Sequence, residues 1–404
     1  MIGVGLVLPL MMFRWKEVGI SPARLGMVGS IYSGSQLVGG LVLGKLGDRG
    51  LGRKRILLLS FLGAGVSYAL VGIATSVETL ALSRVLVGLT KQTMTSSAAL
   101  LTSMTSKEER SSAFGRLASA TSLGGMCGQA IGGYLSTRLG HRAPCFLASA
   151  LFAVNFVIMQ LCLPNDAPKA SAPSASAPAA PKVVRQTSSF DKARAFFTTF
   201  TVAFSDKHAK QALLFRLSYS FLMRSTYSLH SLYELERWEL TPASAASLGI
   251  YRTALGLTVD AVLVGILARY LSESTTLLLT ISLSACNALL EGSWSSLPLQ
   301  AAAQFALYAS INMPVSSMTG HVTRTTLSSL FSKAVPTRDA GAALAVLDTL
   351  NSAVGVIAPL YGSFLSHHFG VGRQPLVSFV HYLVLLGLAR VTLCRPGAPK
   401  EKVE

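Results

Sequence analysis

Charge is scarce in this 404-residue chain: only 13% of its residues are Asp, Glu, Lys or Arg, while half are hydrophobic. Soluble domains carry about 25% charged residues, so two or three soluble domains, which the length alone would permit, are excluded. Acids are the scarcer sign, 18 against 35 Lys and Arg, giving a net charge of +17. The cations sit in short loops and a linker, not on an amphipathic face, so no nucleic-acid partner is expected. Cysteine is sparse: Cys127, Cys145, Cys162, Cys286 and Cys394 are scattered, with no spacing for zinc or a disulfide framework. No nucleophile, metal or phosphate-loop constellation is present, and Gly34, Gly39 and Gly40 follow no strand that would make them a nucleotide fingerprint. Neither enzyme chemistry nor a cofactor is expected.

What the chain has in abundance is long apolar runs. A run of about 20 residues, at ~1.5 Å rise each, crosses the ~30 Å hydrocarbon core of a bilayer. Such runs recur along most of the chain, which reads as an all-α polytopic membrane protein. Met1–Phe13 is too short to cross and has no basic n-region or cleavage site, so it reads as the outer half of a first span. Spans two to six are expected at about 23–43, 56–74, 78–102, 113–135 and 146–163. Spans seven to twelve are expected at about 212–235, 243–268, 275–290, 297–323, 341–364 and 376–391. Between the two sets, 164–182 is rich in Ala, Ser and Pro and reads as a flexible linker. Residues 190–208 mix Phe196, Phe197, Phe200 and Phe204 with Lys and Arg, as an amphipathic helix on the inner leaflet would. The expected units are therefore 1–163, a six-helix bundle; 164–209, a cytoplasmic linker; and 210–404, a second six-helix bundle with a short tail.

The loop between spans two and three reads Gly44-Lys-Leu-Gly-Asp48-Arg49-Gly-Leu-Gly52-Arg53-Lys54-Arg55. Five cations and one acid mark that side as cytoplasmic. The pattern resembles the signature loop of the major facilitator superfamily of secondary transporters, with one residue more between Arg49 and Gly52. Met1–Phe13, with its Gly3-x-Gly5-x-x-x-Pro9, resembles the first helix of drug/proton antiporters. Span five, Gly124-Gly-Met-Cys-Gly128-Gln129-Ala-Ile-Gly132-Gly133, resembles the antiporter motif of that branch with Gln129 in place of its proline. Glycines four apart let helix backbones approach closely. Shifting the first half by 230 residues lays 131–136 on 361–366 and Gly140 on Gly370. The same shift lays Lys91 on His321, and Pro359 restores the missing proline. Lys107-Glu-Glu-Arg110 and the stretch around Lys333 look most like the organic-cation-transporter-like branch, near the tetracycline/proton antiporters.

The resemblance implies two six-helix halves, alternating access, and a central cavity lined by spans one, four, seven and ten. Ionisable groups inside apolar runs are costly, so they mark that cavity. Arg84, Lys91, Gln92, Arg224, Tyr227 and His321 are the lining candidates. Asp260 and Asp348 are read as the only carboxylates within the runs and hence the coupling candidates, with Arg252 and Arg324 as their expected partners and His321 as an alternative titrating group. Gly44, Asp48, Arg49, Gly52 and Arg53 form the conformational motif, with Asp48 engaging the inner end of span eleven. The expected function is proton-coupled antiport of an organic cation or drug-like molecule across a plasma or organelle membrane, by a monomer. A basic cavity equally suits an organic anion transporter or facilitator, and a non-transporting receptor on the same fold is a further alternative.

Overall fold

The computed structural model describes residues 1–46, 52–106, 109–163, 207–294, 298–334 and 340–393. The expected inner-leaflet helix at 190–208 falls almost wholly outside them, as do Asp48 and Arg49. Among the described residues every regular element is helical. α1 (Ile2–Val7) runs through a 3-10 turn at Leu8–Leu10 into α2 (Met11–Glu17), which together make span one. Spans two and three are α3 (Pro22–Leu46) and α4 (Arg53–Ile73). Span four is divided into α5 (Val77–Thr90) and α6 (Thr93–Met104). Spans five and six are α7 (Arg110–Leu139) and α8 (Ala143–Cys162).

In the second half, span seven is α9 (Lys207–Arg237). Span eight is α10 (Pro242–Thr258) joined through a π segment, Val259–Leu263, to α11 (Val264–Tyr270). α12 (Glu273–Ser293) is span nine. α13 (Ala301–Leu307), a second π segment at Tyr308–Asn312 and α14 (Met313–Ala334) make span ten. α15 (Ala340–Phe369) and α16 (Gln374–Leu393) are spans eleven and twelve. Five helical stretches are each long and apolar enough to cross a membrane.

Local chemistry explains the boundaries. Ser76 and Ser272 cap α5 and α12 by accepting from Thr79 N and Thr275 N, and Thr241 forms a capping box with Ser244 ahead of Pro242. Span four departs from the expected continuous helix over 78–102. The Ser60 hydroxyl of α4 donates to Thr90 O at 2.6 Å and accepts from Gln92 N at 3.1 Å. A side chain inserted into the ladder in this way breaks it, and Lys91 takes ψ 86. Span ten also differs, running on to Ala334, so that Arg324 lies mid-helix and not at its inner end.

The internal repeat is visible in the backbone. Gly140 and Gly370 end α7 and α15 with φ 84 and φ 79, donating to Ser136 O and Ser366 O. Only glycine adopts that conformation without strain. The Lys91–His321 equivalence does not survive, because Lys91 sits at a helix break and His321 inside continuous α14.

Within the first half α1 packs on α7 and α8, and α4 on α5 and α8. Within the second, α9 packs on α15 and α16, and α12 on α14 and α16. Among the described residues two pairs make most of the contact between halves, α3 with α15 and α7 with α10, and smaller contacts join the Leu8–Leu10 turn to α10 and α3 to α9. One buried cluster gathers Leu6, Val71, Leu80 and Ala148; another gathers Phe215, Leu277, Ile281, Leu327 and Leu385. In lipid such clusters act through close packing, since the tails are as apolar as leucine.

Candidate functional site

The helix-five motif is a packing device for two partners at once. A Cβ on Gly128 would meet the Ile2 carbonyl, and one on Gly132 the Leu6 carbonyl; Gly124 lies against Met1 and Ile2. That stripe receives α1. The other face meets α10: Gly133 abuts Ala246, and Gln129 Nε2 donates to Thr253 Oγ1 at 3.5 Å. Pro359 of α15 lies against Gly26 and Gly29 of α3, and Gly26 N donates to Ser363 Oγ at 2.7 Å. Ser30 Oγ adds a bond to Val356 O at 2.5 Å. By the expected topology these contacts between halves all lie toward the outer ends of their helices. Outside them, Lys16 of the first half pairs with Glu236 of the second at 3.9 Å.

The lining candidates fall into three places. Arg84, Lys91 and Arg224 gather about Tyr32 of α3. Lys91 Nζ donates to the Tyr32 hydroxyl and lies 5.1 Å from its ring centroid. Arg84 and Arg224 are both within electrostatic reach of Tyr32, and Arg224 also lies beside Gly355 and Ser33. Arg84 is steadied by Ser83 and Ser67 at 3.2 and 3.4 Å. Gln92, next to Lys91, lies by Gly40. Tyr227 is in a second place, facing a cavity inside the second half. His321 is in a third, between spans eight and ten.

Asp260 is paired otherwise than expected. Its carboxylate lies 2.9 Å from His321 Nδ1, because the π segment turns Asp260 toward α14. Arg324 stands 3.2 Å from the same nitrogen, which can donate to Asp260 or accept from Arg324 but not both at once. Arg252 pairs instead with Glu234. The side chain of Asp348 lies outside the described set.

Sequence reading missed two carboxylates. Glu234 falls inside span seven as delimited, so Asp260 and Asp348 are not the only acids in the runs; Glu291 lies one residue beyond the limit drawn for span nine. Both are buried. Glu234 accepts from Arg252 and the Tyr308 hydroxyl, with His230 Nε2 at 3.6 Å. The Glu291 carboxylate is 3.8 Å from His230 Nδ1, which also faces Gln374 Oε1 at 3.2 Å. Beside them Asn287 and Asn312 exchange amide bonds at 3.1–3.3 Å. A cavity of about 180 Å³ opens against this cluster, lined by Tyr227, His230, Ser284, Asn287, Glu291 and Thr319 among others. The place of Glu234 inside span seven, of Glu291 at the end of span nine, and the i, i+4 spacing of His230 and Glu234 were the available signals.

The conformational motif is partly described. Gly44 lies in the last turn of α3, Gly52 precedes α4 with φ 78, and Arg53 opens α4. Its unforeseen member is Lys54, which is buried and donates to Gln160 O at 3.0 Å and to Leu163 O at the end of α8. A cation there satisfies the last carbonyls and opposes the helix dipole. Arg14 does the same at the other end of α4, donating to Val71 O and Ala74 O at 3.1 and 2.8 Å.

A helical membrane protein with two related halves, polar groups in its interior and glycine-mediated contacts between the halves has the build of a secondary transporter. The sequence profile of the Major Facilitator Superfamily matches residues 1–359, and the chain belongs to that superfamily. It is an integral multi-pass membrane transporter and not an enzyme. The chain is 27% identical over 380 residues to the tetracycline resistance protein, class H, of Pasteurella multocida, covering 90% of this chain and 85% of that one. It is 32% identical over 160 residues to the class B protein of Escherichia coli, 39% of each chain. The quinolone resistance protein NorA of Staphylococcus aureus matches at 25% over 232 residues, 52% of this chain and 59% of the relative. Among solved structures, the nucleoside transporter NupG superposes with a TM-score of 0.75 at 12% identity over 98% of this chain and 96% of its own. The human organic anion transporter MFSD10 does so with a TM-score of 0.62 at 18% identity, over 96% and 95%. These likenesses show the fold.

Proposed function

We propose that the chain exports a tetracycline- or quinolone-like drug in exchange for protons. Residues 1–163 and 210–404 act as the two moving bundles of a monomer, joined by the linker 164–209. The observation that carries this reading is the placement of the contacts between halves. Gln129 on Thr253 and Gly26 on Pro359 join the halves toward their outer ends, while Arg84, Lys91 and Arg224 gather about Tyr32 further along α3. Outer ends held together suit a transporter that takes its drug from the cytoplasm. Relatives named for tetracycline and quinolone resistance support the substrate class. Asp48, in the loop between α3 and α4, serves as the latch of the alternate state, and the Asp260–His321 pair is kept as a coupling pair in the inner half. Asp348 is retained as a second coupling carboxylate on its position in span eleven.

A second reading follows from Arg84, Lys91 and Arg224 around Tyr32: three cations favour an organic anion. Purified protein in proteoliposomes, with an imposed pH gradient, tests both. Gradient-driven movement of tetracycline or a quinolone that a protonophore abolishes supports drug/proton exchange. Movement of an aromatic carboxylate alone moves the assignment to an anion transporter. Failure of all three to respond to either sign of the gradient overturns the antiport reading.

A further inference from the structure

Glu291 has a carboxylate oxygen, Oε1, that is buried and accepts no hydrogen bond among the described residues, and its side chain lines the 180 Å³ cavity. The groups facing it come from four helices. His230, Tyr233 and Glu234 stand on α9, Arg252 on α10, Tyr308 on span ten and Tyr382 on α16. Two of these matter for charge. Glu234 is already matched by Arg252 and bonded by Tyr308. Arg237, the next cation outward, is directed to Gln304 and lies 5.0 Å from the Trp238 ring. Arg237 also bonds Tyr233, so both guanidiniums near the cluster are committed elsewhere and Glu291 has no cation of its own. A buried carboxylate without a cation of its own is costly, and holding a proton removes that cost.

We propose that Glu291 is a further proton-binding group of the transport cycle, loaded from water in the cavity beside Tyr227 and read out at the outer contact between halves. The proposal rests on the exchange reading above. The cavity is large enough for several waters and is lined by polar groups, His230, Ser284, Asn287 and Thr319 among them. Loading places a proton from that water on Oε1, turning a carboxylate into a neutral acid; unloading returns it. The readout follows the bonds. With Glu291 neutral, His230 and Arg252 both serve Glu234, and Arg252 anchors α10. The next residue, Thr253, meets Gln129 across the halves. With Glu291 ionised, its carboxylate competes for His230 and Arg252, and α10 loosens against α7. A protonated site therefore holds the outer side closed, the coupling sign an exporter driven by inward proton flow requires.

Two measurements on the full chain in lipid, neither needing a substrate, test this. Infrared difference spectra across a pH titration should show a protonated-carboxyl band that is lost in Glu291→Gln. Spin labels at Leu139 and Ser247, on the outer ends of α7 and α10, should move apart as pH rises in wild type and stay close at every pH in Glu291→Gln. If Glu291→Gln does not fold, Glu291→Asp keeps the acid and should retain the band with a shifted midpoint. A band that persists in Glu291→Gln, a midpoint unmoved in Glu291→Asp, or a label distance that responds to pH equally in both proteins or in neither overturns the proposal. If the band and the distance change depend on Glu291 while proteoliposomes show no proton-driven drug movement, the site stands and the exchange reading falls.

Discussion

The His321 imidazole faces the Asp260 carboxylate at 2.9 Å and ties α14 to the π segment of span eight. Both groups are partly exposed, with side-chain accessibilities of 28% and 48%, so the pair is screened. Asp260→Asn, His321→Asn and the double variant should give a coupling energy of about 0.2–1 kcal/mol from melting in detergent. The gradient assay should show a larger effect on transport than on stability. Equal transport rates in all four proteins would remove the pair from the coupling machinery.

Gly26 controls the other outer contact. A side chain there meets the Pro359 carbonyl and Ser363 Oγ. Overpacking of this kind costs about 1–3 kcal/mol, enough to tip a balanced pair of access states by about fivefold to a hundredfold. Gly26→Val should therefore open the outer side. A cysteine at Ser30, now buried against Val356, should react faster with an impermeant reagent from outside by a similar factor. Unchanged labelling would mean that α3 and α15 do not form the gate.

The glycines of α7 differ in what they tolerate. Gly132→Ala drives a methyl into the Leu6 carbonyl, whereas Gly125→Ala meets nothing within 4 Å. The first should destabilise by about 1–3 kcal/mol and the second by a few tenths at most. Detergent melting curves compared side by side check the contrast.

Arg14 is buried and bonded to Val71 O, Ala74 O and Glu17. Arg14→Met preserves bulk but strips the end of α4 of a charged donor. A hydrogen bond to a charged group contributes about 1.5–3 kcal/mol, so the variant should melt earlier by at least one such bond. A melting point equal to wild type would mean that water replaces the guanidinium.

Parts of the site were legible because they depend on composition or short spacing. The span-five glycines announce a close helix contact by their four-residue period, and the structure places α1 on that stripe. Gln129 was legible only as a departure from a motif; its bond to Thr253 across the halves depends on a helix more than a hundred residues away. Asp260 was expected to pair with Arg252, but it faces His321. Arg252 lies two turns away along the same span, but the π segment shifts the face on which Asp260 projects. The break at Lys91 was invisible for a related reason, since the hydroxyl that causes it belongs to Ser60 on another helix.

By itself the sequence determined the class of the molecule. A bilayer demands apolar runs of fixed length, loops sort their cations to one side, and a repeat of two halves leaves matching residues such as Gly140 and Gly370. Each of these is a one-dimensional requirement, met residue by residue along the chain. Only the tertiary structure decided which buried charges meet. Glu234, Arg252, Tyr308, His230 and Glu291 come from spans seven to ten and have no spacing in common. Their partnership is set by how four helices rotate about their axes when they pack, and a buried charge is satisfied by whatever side chain that rotation brings within reach.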